Sequence, residues 1–244
     1  MRSGQLNTPN APSTPCAARN GATGVTAVAH RGAPYAAREN TLASFRAAVA
    51  AGADAVELDV RLTRDGVPVV LHDRTLERLW GHDVPLARLT AEQLAGTAPG
   101  VPTLAAALEV TRDVRTLVDL PDPAAAPAAV AAVRDAGAGE RVYYCGGPRA
   151  MRAVRTADPA AELALTWNRA APVRATLLDE LRPRWLNYRF GLVTGALVAW
   201  AHGEGYLVSA WTADWPRTMR RLAGRGVDAI TTNDVTRLLR TVTR

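Results

Sequence analysis

The chain has 244 residues, 48% of them hydrophobic and 21% charged, ordinary globular values that let a single domain bury a core without disulfide or metal staples. No apolar run approaches the roughly 18 residues needed to cross a bilayer, which excludes a membrane-spanning helix and stable membrane insertion and leads us to expect a soluble chain. The net charge of +6 is carried by arginines scattered through every predicted helix and not gathered into a block, so a solvated surface is expected and no nucleic-acid face.

Residues 1–24 are polar and turn-forming and lack the continuous apolar stretch of a secretory signal; they read as a disordered lead-in. The two cysteines, Cys16 in that lead-in and Cys145 in a predicted strand, are too few for a disulfide framework and lack metal-site spacing, so a reducing cytoplasm is expected.

From residue 25 onward, short β-rich runs alternate with alanine-rich helical stretches, the sequence form of repeated βα units. The strand candidates are Thr26–His30, Ala55–Val60, Thr116–Asp119, Arg141–Tyr144, Glu162–Thr166, Trp185–Tyr188, Leu207–Trp211 and Ala229–Thr232. Between them, Thr41–Ala51, Thr103–Val110, Pro123–Ala136 and Thr218–Gly224 have the apolar spacing of crossover helices. Eight strands with intervening helices predict a closed (β/α)8 TIM barrel over residues 25–244.

One segment interrupts the alternation. Asp65-Gly66 is a hairpin-turn signal between two extended arms, so Pro68–His72 should return antiparallel to the second strand and not count as a barrel strand. Residues 74–100 then read as an irregular insertion before the next helix, the whole interruption spanning about 61–100. Loops after barrel strands carry the chemistry in such folds, so the insertion should border the site.

Side chains on a strand alternate faces, so Glu57 and Asp59 point to one side while Leu58 points to the other. Two convergent carboxylates repel unless a proton, solvent or a cation intervenes, and a hard divalent ion, Mg2+ or Ca2+, suits a barrel mouth. At the end of the first strand, His30-Arg31-Gly32 offers a proton carrier, a two-pronged phosphate clamp and a turn that lets backbone approach a ligand. His72-Asp73 ends the returning hairpin arm, which brings His72 back to the rim that Glu57 and Asp59 occupy. Alone, a Glu-x-Asp pair reads as surface carboxylates and a strand-end histidine as a hydrogen-bonded structural residue; together, the order and spacing suit phosphodiester cleavage.

With those residues in place, the chain resembles the glycerophosphodiester phosphodiesterase family. His30-Arg31-Gly32, Glu39-Asn40-Thr41, Glu57-Leu58-Asp59-Val60 and His72-Asp73 stand in the order of the family's motifs. Pro102-Thr103-Leu104, Ala210-Trp211-Thr212 and Asp228 through Asn233 extend the resemblance over roughly residues 25–236. It implies a divalent metal and hydrolysis of glycerophosphodiesters to glycerol 3-phosphate and an alcohol, a small-molecule substrate, with the glycerol 2-hydroxyl attacking phosphorus and water then opening a cyclic phosphate. Carried over by position, it makes His30 and His72 the acid/base pair, Arg31 the phosphate clamp, and Glu57 and Asp59 metal ligands. Glu39 and Asn40 would brace the rim, and Trp211 would line the substrate cleft.

There is one departure. Where the family has Glu-x-Lys on the third strand, this chain has Asp119-Leu120-Pro121. Asp119 can still ligate a hard cation, but a positive charge is lost, and with no lysine anywhere in the chain only arginine can replace it. Arg149, Arg169 and Arg189 follow predicted barrel strands and are the candidates. Two other readings stay open: sphingomyelinase D-like or phospholipase C-like chemistry that ends at a cyclic phosphate, and a barrel that binds a phosphoester without turning it over. The resemblance leaves the alcohol moiety, Mg2+ against Ca2+, and the oligomeric state open.

Overall fold

A computed structural model describes residues 24–242. The expected lead-in, residues 1–24, lies outside the described residues except for Gly24, and Cys16 lies outside them too.

Eight parallel strands close on themselves: β1 (Thr26–Ala29), β2 (Ala55–Leu62), β3 (Arg115–Asp119), β4 (Val142–Gly146), β5 (Leu163–Trp167), β6 (Trp185–Arg189), β7 (Leu207–Trp211) and β8 (Ala229–Thr232). Closure comes from β1, which pairs with β8 on one side (Thr26 opposite Ala229) and with β2 on the other (Val28 opposite Ala55). The helices that follow the strands are α1 (Leu42–Ala50), α2 (Leu104–Val110), α3 (Ala126–Asp135), α4 (Pro148–Ala157), α5 (Ala175–Leu181), α6 (Gly195–Gly203), α7 (Pro216–Gly224) and α8 (Val235–Val242). Several start where a threonine side chain accepts a backbone N–H, as Thr41 does from Ser44 and Thr103 from Ala106. Among the described residues no helix is long and apolar enough to cross a membrane.

The period-2 alternation of strand side chains divides the barrel into an outer and an inner surface. Outward residues such as Val56, Leu58, Val118, Leu163, Leu186 and Ile230 pack under the helices in one large core. Inward residues change character up each strand. The lower layer is apolar, with Val28, Ala55, Leu117, Tyr143, Ala164, Trp185 and Ala229 filling the barrel. One step higher, the same face carries Glu57, Asp119, Thr166, Asn187, Ser209 and Thr231. The apolar layer closes the floor, and the polar layer faces the C-terminal mouth.

The hairpin forms as the Asp-Gly signal predicts: Pro68–Val70 runs antiparallel to β2, with Val60 opposite Val70. Gly66 has φ +81° at the turn. The insertion, however, is not irregular. It holds a strand pair (Thr75–Leu76 with His82–Pro85), short helices at Glu77–Trp80 and Ala91–Thr97, and a capping box at Thr90–Gln93. Val69, Leu71, Leu76, Leu86, Leu94 and Ala98 form its own small core. Beyond Leu71 the apolar residues Leu76, Leu86, Leu94 and Ala98 are too widely spaced to mark an amphipathic element in the sequence.

Gly32 is where strand, turn and helix meet. It has φ +86°, and a Cβ there would stand 2.7 Å from the Ser44 carbonyl carbon and 2.8 Å from its oxygen. Gly66 has a similar φ but open space around it. We therefore expect Gly66→Ala to cost about 1–2 kcal/mol, the price of a side chain at positive φ. Gly32→Ala should cost roughly 3 kcal/mol or more, because backbone of α1 must also move. Chemical-denaturant unfolding of both variants measures the difference, and equal losses would show that the close approach to Ser44 does not matter.

Candidate functional site

At the barrel mouth a cavity of about 730 Å3 is lined by His30, Arg31, Glu57, Asp59, His72, Asp119 and Trp211, with Pro121, Gly146, Gly147 and Arg149 along one wall. Glu57, Asp59 and Asp119 come together on adjacent strands because β2 and β3 pair with Asp59 opposite Asp119. One carboxylate oxygen from each lies within 4.8 Å of the others.

Each carboxylate has one oxygen engaged by a protein donor. Glu57 Oε2 accepts the Arg31 backbone N–H at 2.8 Å. Asp59 Oδ2 accepts Asn40 Nδ2–H at 2.8 Å, and Asp119 Oδ1 accepts the Cys145 thiol at 3.2 Å. The Leu120 backbone N–H also approaches the Asp119 carboxyl and, with the thiol, counters part of the effect of burial. Burial, and then the neighbouring Asp59 and Asp119 charges, push the Glu57 carboxyl well above the ordinary carboxylate range. Burial and Asp59 push Asp119 up to about 7. An all-oxygen set of convergent carboxylates fits a hard divalent cation.

Arg31 sits in the left-handed region at φ +56°, as does Asn40. The two are tied together by Asn40 N–H to the Arg31 carbonyl at 3.0 Å. Strained backbone of this kind persists only where the surroundings hold it. Arg31 Nη1 donates to Glu39 Oε1 at 2.8 Å, and its Nε lies 3.1 Å from Asp59 Oδ2 without hydrogen-bond alignment. Asn40 is 2% exposed and its short side chain reaches Asp59, while the Glu39 side chain is partly exposed and meets Arg31.

The tautomers of both histidines follow from their partners. Asp214 Oδ2, which can only accept, takes Asn233 Nδ2–H at 2.8 Å, and this turns the Asn233 oxygen toward His30 Nδ1 at 2.8 Å. His30 therefore carries its proton on Nδ1 and keeps Nε2 free. Burial first, and then the Arg31 charge, hold His30 below its ordinary value of 6.5. His72 Nδ1 lies 2.7 Å from Asp73 Oδ1, so Nδ1 again carries hydrogen. Arg61 Nε donates to the His72 carbonyl at 2.6 Å and holds the end of the hairpin arm.

The three arginines nominated for the missing charge separate cleanly. Arg149 lines the cavity and has no ion-pair partner among the described residues. Arg169 lies over the Trp167 ring, 5.5 Å from its centroid. Arg189 lines a neighbouring pocket whose walls include Phe190, Leu192 and Trp211. Sequence reading missed Asn233, which reaches His30 from the far end of the chain, Asp214, which orients Asn233, and Cys145, whose inward register on β4 sets it against Asp119.

The profile of the glycerophosphoryl diester phosphodiesterase family matches residues 30–237. A glycerophosphodiester phosphodiesterase of Caldanaerobacter subterraneus subsp. tengcongensis is 28% identical over 242 residues, covering 88% of this chain and 96% of its own length. A probable glycerophosphodiester phosphodiesterase 2 of Mycobacterium tuberculosis is 33% identical over 234 residues, covering 85% of this chain and 86% of its own. The structure of an Oleispira antarctica phosphodiesterase in complex with the product sn-glycerol-3-phosphate shares the fold, with TM-score 0.78 at 24% identity, covering 90% of this chain and 97% of that one.

Asp119 has a folded-state pKa raised above its ordinary 3.8, so the cation-free cluster is favoured while protonated and loses stability as pH rises through about 7. A bound cation reverses that loss. Mg2+ or Ca2+ should therefore raise the unfolding midpoint more at about pH 8 than at about pH 5.5, and Asp59→Asn should abolish the increment. Thermal scans with and without chelator read this directly; a cation shift independent of pH would speak against the cluster as the site.

Proposed function

The chain belongs to the glycerophosphoryl diester phosphodiesterase family, which makes it a phosphoric diester hydrolase, and we propose that it hydrolyses small glycerophosphodiesters to glycerol 3-phosphate and an alcohol at the cavity of His30 and His72. The observation that carries this reading is that two histidines, each with Nδ1 engaged, and an arginine clamp line one cavity with three carboxylates.

Glu57, Asp59 and Asp119 would hold one divalent cation, Mg2+ or Ca2+. When bound, that ion neutralises charge on phosphoryl oxygens. Arg31, fixed by Glu39, offers guanidinium hydrogens to the same phosphate. His30, kept neutral by burial and by Arg31, takes the proton of the glycerol 2-hydroxyl on Nε2 as that oxygen bonds to phosphorus. The ester bond to the alcohol breaks, and His72, starting protonated, gives a proton to the departing oxygen. Water then opens the cyclic phosphate with the two histidine roles exchanged.

Arg149 supplies the positive charge that position 121 lacks, because it is the unpaired arginine on the wall formed by Pro121, Gly146 and Gly147. Arg152, which lines the same cavity, is committed to Glu180 at 2.6 Å.

A panel of glycerophosphodiesters with and without chelator tests the main reading. Release of glycerol 3-phosphate should require Mg2+ or Ca2+ and fall by roughly two to four orders of magnitude in His30→Ala and His72→Ala. Phosphorus NMR should show the monoester as final product; an accumulating cyclic phosphate would favour a lyase, and binding without turnover a non-catalytic barrel. The kcat/KM profile should fall on the acid side below the ordinary histidine value of 6.5, since His30 must be neutral and its pKa is lowered. His30→Ala should remove that limb.

The role of Arg149 is separable. Arg149→Ala should raise KM roughly tenfold, and adding Pro121→Lys to that variant should restore most of the loss. An unchanged KM in Arg149→Ala would remove this residue from the site.

A further inference from the structure

His72 and Arg31 approach the cavity from different parts of the chain, one from the hairpin and the other from the loop after β1. Both are backed by a carboxylate, and a single guanidinium joins the two carboxylates. Arg78, on the short insertion helix Glu77–Trp80, donates through Nε to Asp73 Oδ2 at 2.5 Å. Through Nη2 it donates to Glu39 Oε1 at 2.6 Å, and through Nη1 to Glu39 Oε2 at 3.2 Å. The other oxygen of Asp73 holds His72 Nδ1 at 2.7 Å, and Glu39 Oε1 also holds Arg31 Nη1 at 2.8 Å. The resulting path runs His72, Asp73, Arg78, Glu39, Arg31 without a break.

We propose that Arg78 is a positioning residue that couples the two halves of the site, setting His72 through Asp73 and Arg31 through Glu39. The inference rests on the phosphodiesterase reading given above. Guanidinium geometry is what makes the bridge possible: planar donors can meet two carboxylates in different directions at once, which an ammonium cannot do with the same fixity. Burial pushes both carboxyls up, but Arg78 and its neighbours hold Glu39 and Asp73 below their ordinary ranges, so both stay ionised as acceptors. The helix that carries Arg78 is itself pinned to the loop after β1, since Arg38 lies over the Trp80 ring, 4.4 Å from its centroid. Arg78 is half exposed and reaches neither the carboxylate triad nor the cavity lining, so it touches no reacting atom.

The test separates positioning from mere support of the fold. Arg78→Ala should lower kcat and raise KM together, by roughly tenfold to a hundredfold in kcat/KM, while Arg78→Lys should recover only part. The two arms break separately: Asp73→Asn should act mainly on kcat through His72, and Glu39→Gln mainly on KM through Arg31. Arg88→Ala, which removes an exposed arginine elsewhere on the insertion, should leave both unchanged. Imidazole nitrogen NMR gives a readout that needs no turnover: at alkaline pH, where the ring is neutral, His72 should be a single Nδ1–H tautomer in the wild type and a tautomer mixture in Arg78→Ala. If Arg78→Ala behaves like Arg88→Ala in kinetics and keeps the single tautomer, the coupling role is overturned. If Arg78→Ala fails to fold, the Lys, Asn and Gln variants still decide, and matching effects of the latter two on kcat and KM would refute separate arms. An inactive wild type with the tautomer shift intact would sink the phosphodiesterase reading and leave the positioning role standing.

Discussion

Three carboxylates held within 4.8 Å of one another in a buried mouth are the constraint around which this barrel is arranged. At about 4 Å and an effective dielectric near 20, each pair of unit charges repels by roughly 4 kcal/mol, a large fraction of a typical folding free energy. Protonation favoured at Glu57 and Asp119 and the Arg31 guanidinium beside Asp59 relieve part of it. The protein gives each carboxylate a directed donor, Arg31 N–H, Asn40 Nδ2–H or the Cys145 thiol, and keeps the three convergent. The strain in the Arg31 and Asn40 backbones and the side-chain-free approach of Gly32 to Ser44 follow from the same need. Only a tight, left-handed turn carries a backbone N–H down to Glu57 while sending the guanidinium across to Asp59 and Glu39.

Much of this was legible in the amino-acid order because it depends on short-range geometry. Period-2 alternation puts Glu57 and Asp59 on one face, and the Asp65-Gly66 turn returns His72 to the rim. Two strand assignments, Leu207–Trp211 and Ala229–Thr232, coincide with the structure, and the other six differ by one or two residues at their ends. What was not legible depends on partners far apart in sequence. Asn233 reaches His30 across 203 positions, and its amide orientation is set by Asp214, so nothing local to His30 announces its tautomer. The insertion was opaque for a different reason: its apolar residues make a core only with one another.

That small core explains why a site can be built partly on an insertion. A histidine that is to transfer protons, the role proposed for His72, must be held within a fraction of an ångström, which a loose loop cannot do. Here Leu71 and Val69, beside His72, are buried in the insertion's core, and the His72 carbonyl is held by Arg61 from a barrel strand. The hairpin arm is thus anchored on both sides before any ion pair is counted.

The ion pairs then determine orientation more than stability. Arg78 is 48% exposed at its side chain, so its bonds to Glu39 and Asp73 are partly screened and add little to folding. Their consequence is geometric. Rotation of His72 about its own bonds would cost the Asp73 contact, rotation of Arg31 would cost the Glu39 contact, and both carboxylates are immobilised by the same planar cation. The carboxylates are rigid because they are buried in the barrel, whereas Arg31 and His72 are held by a network at the surface. The two kinds of rigidity meet at Arg31, among the described residues the one hydrogen-bonded or ion-paired to Glu57, to Asp59 and to Glu39.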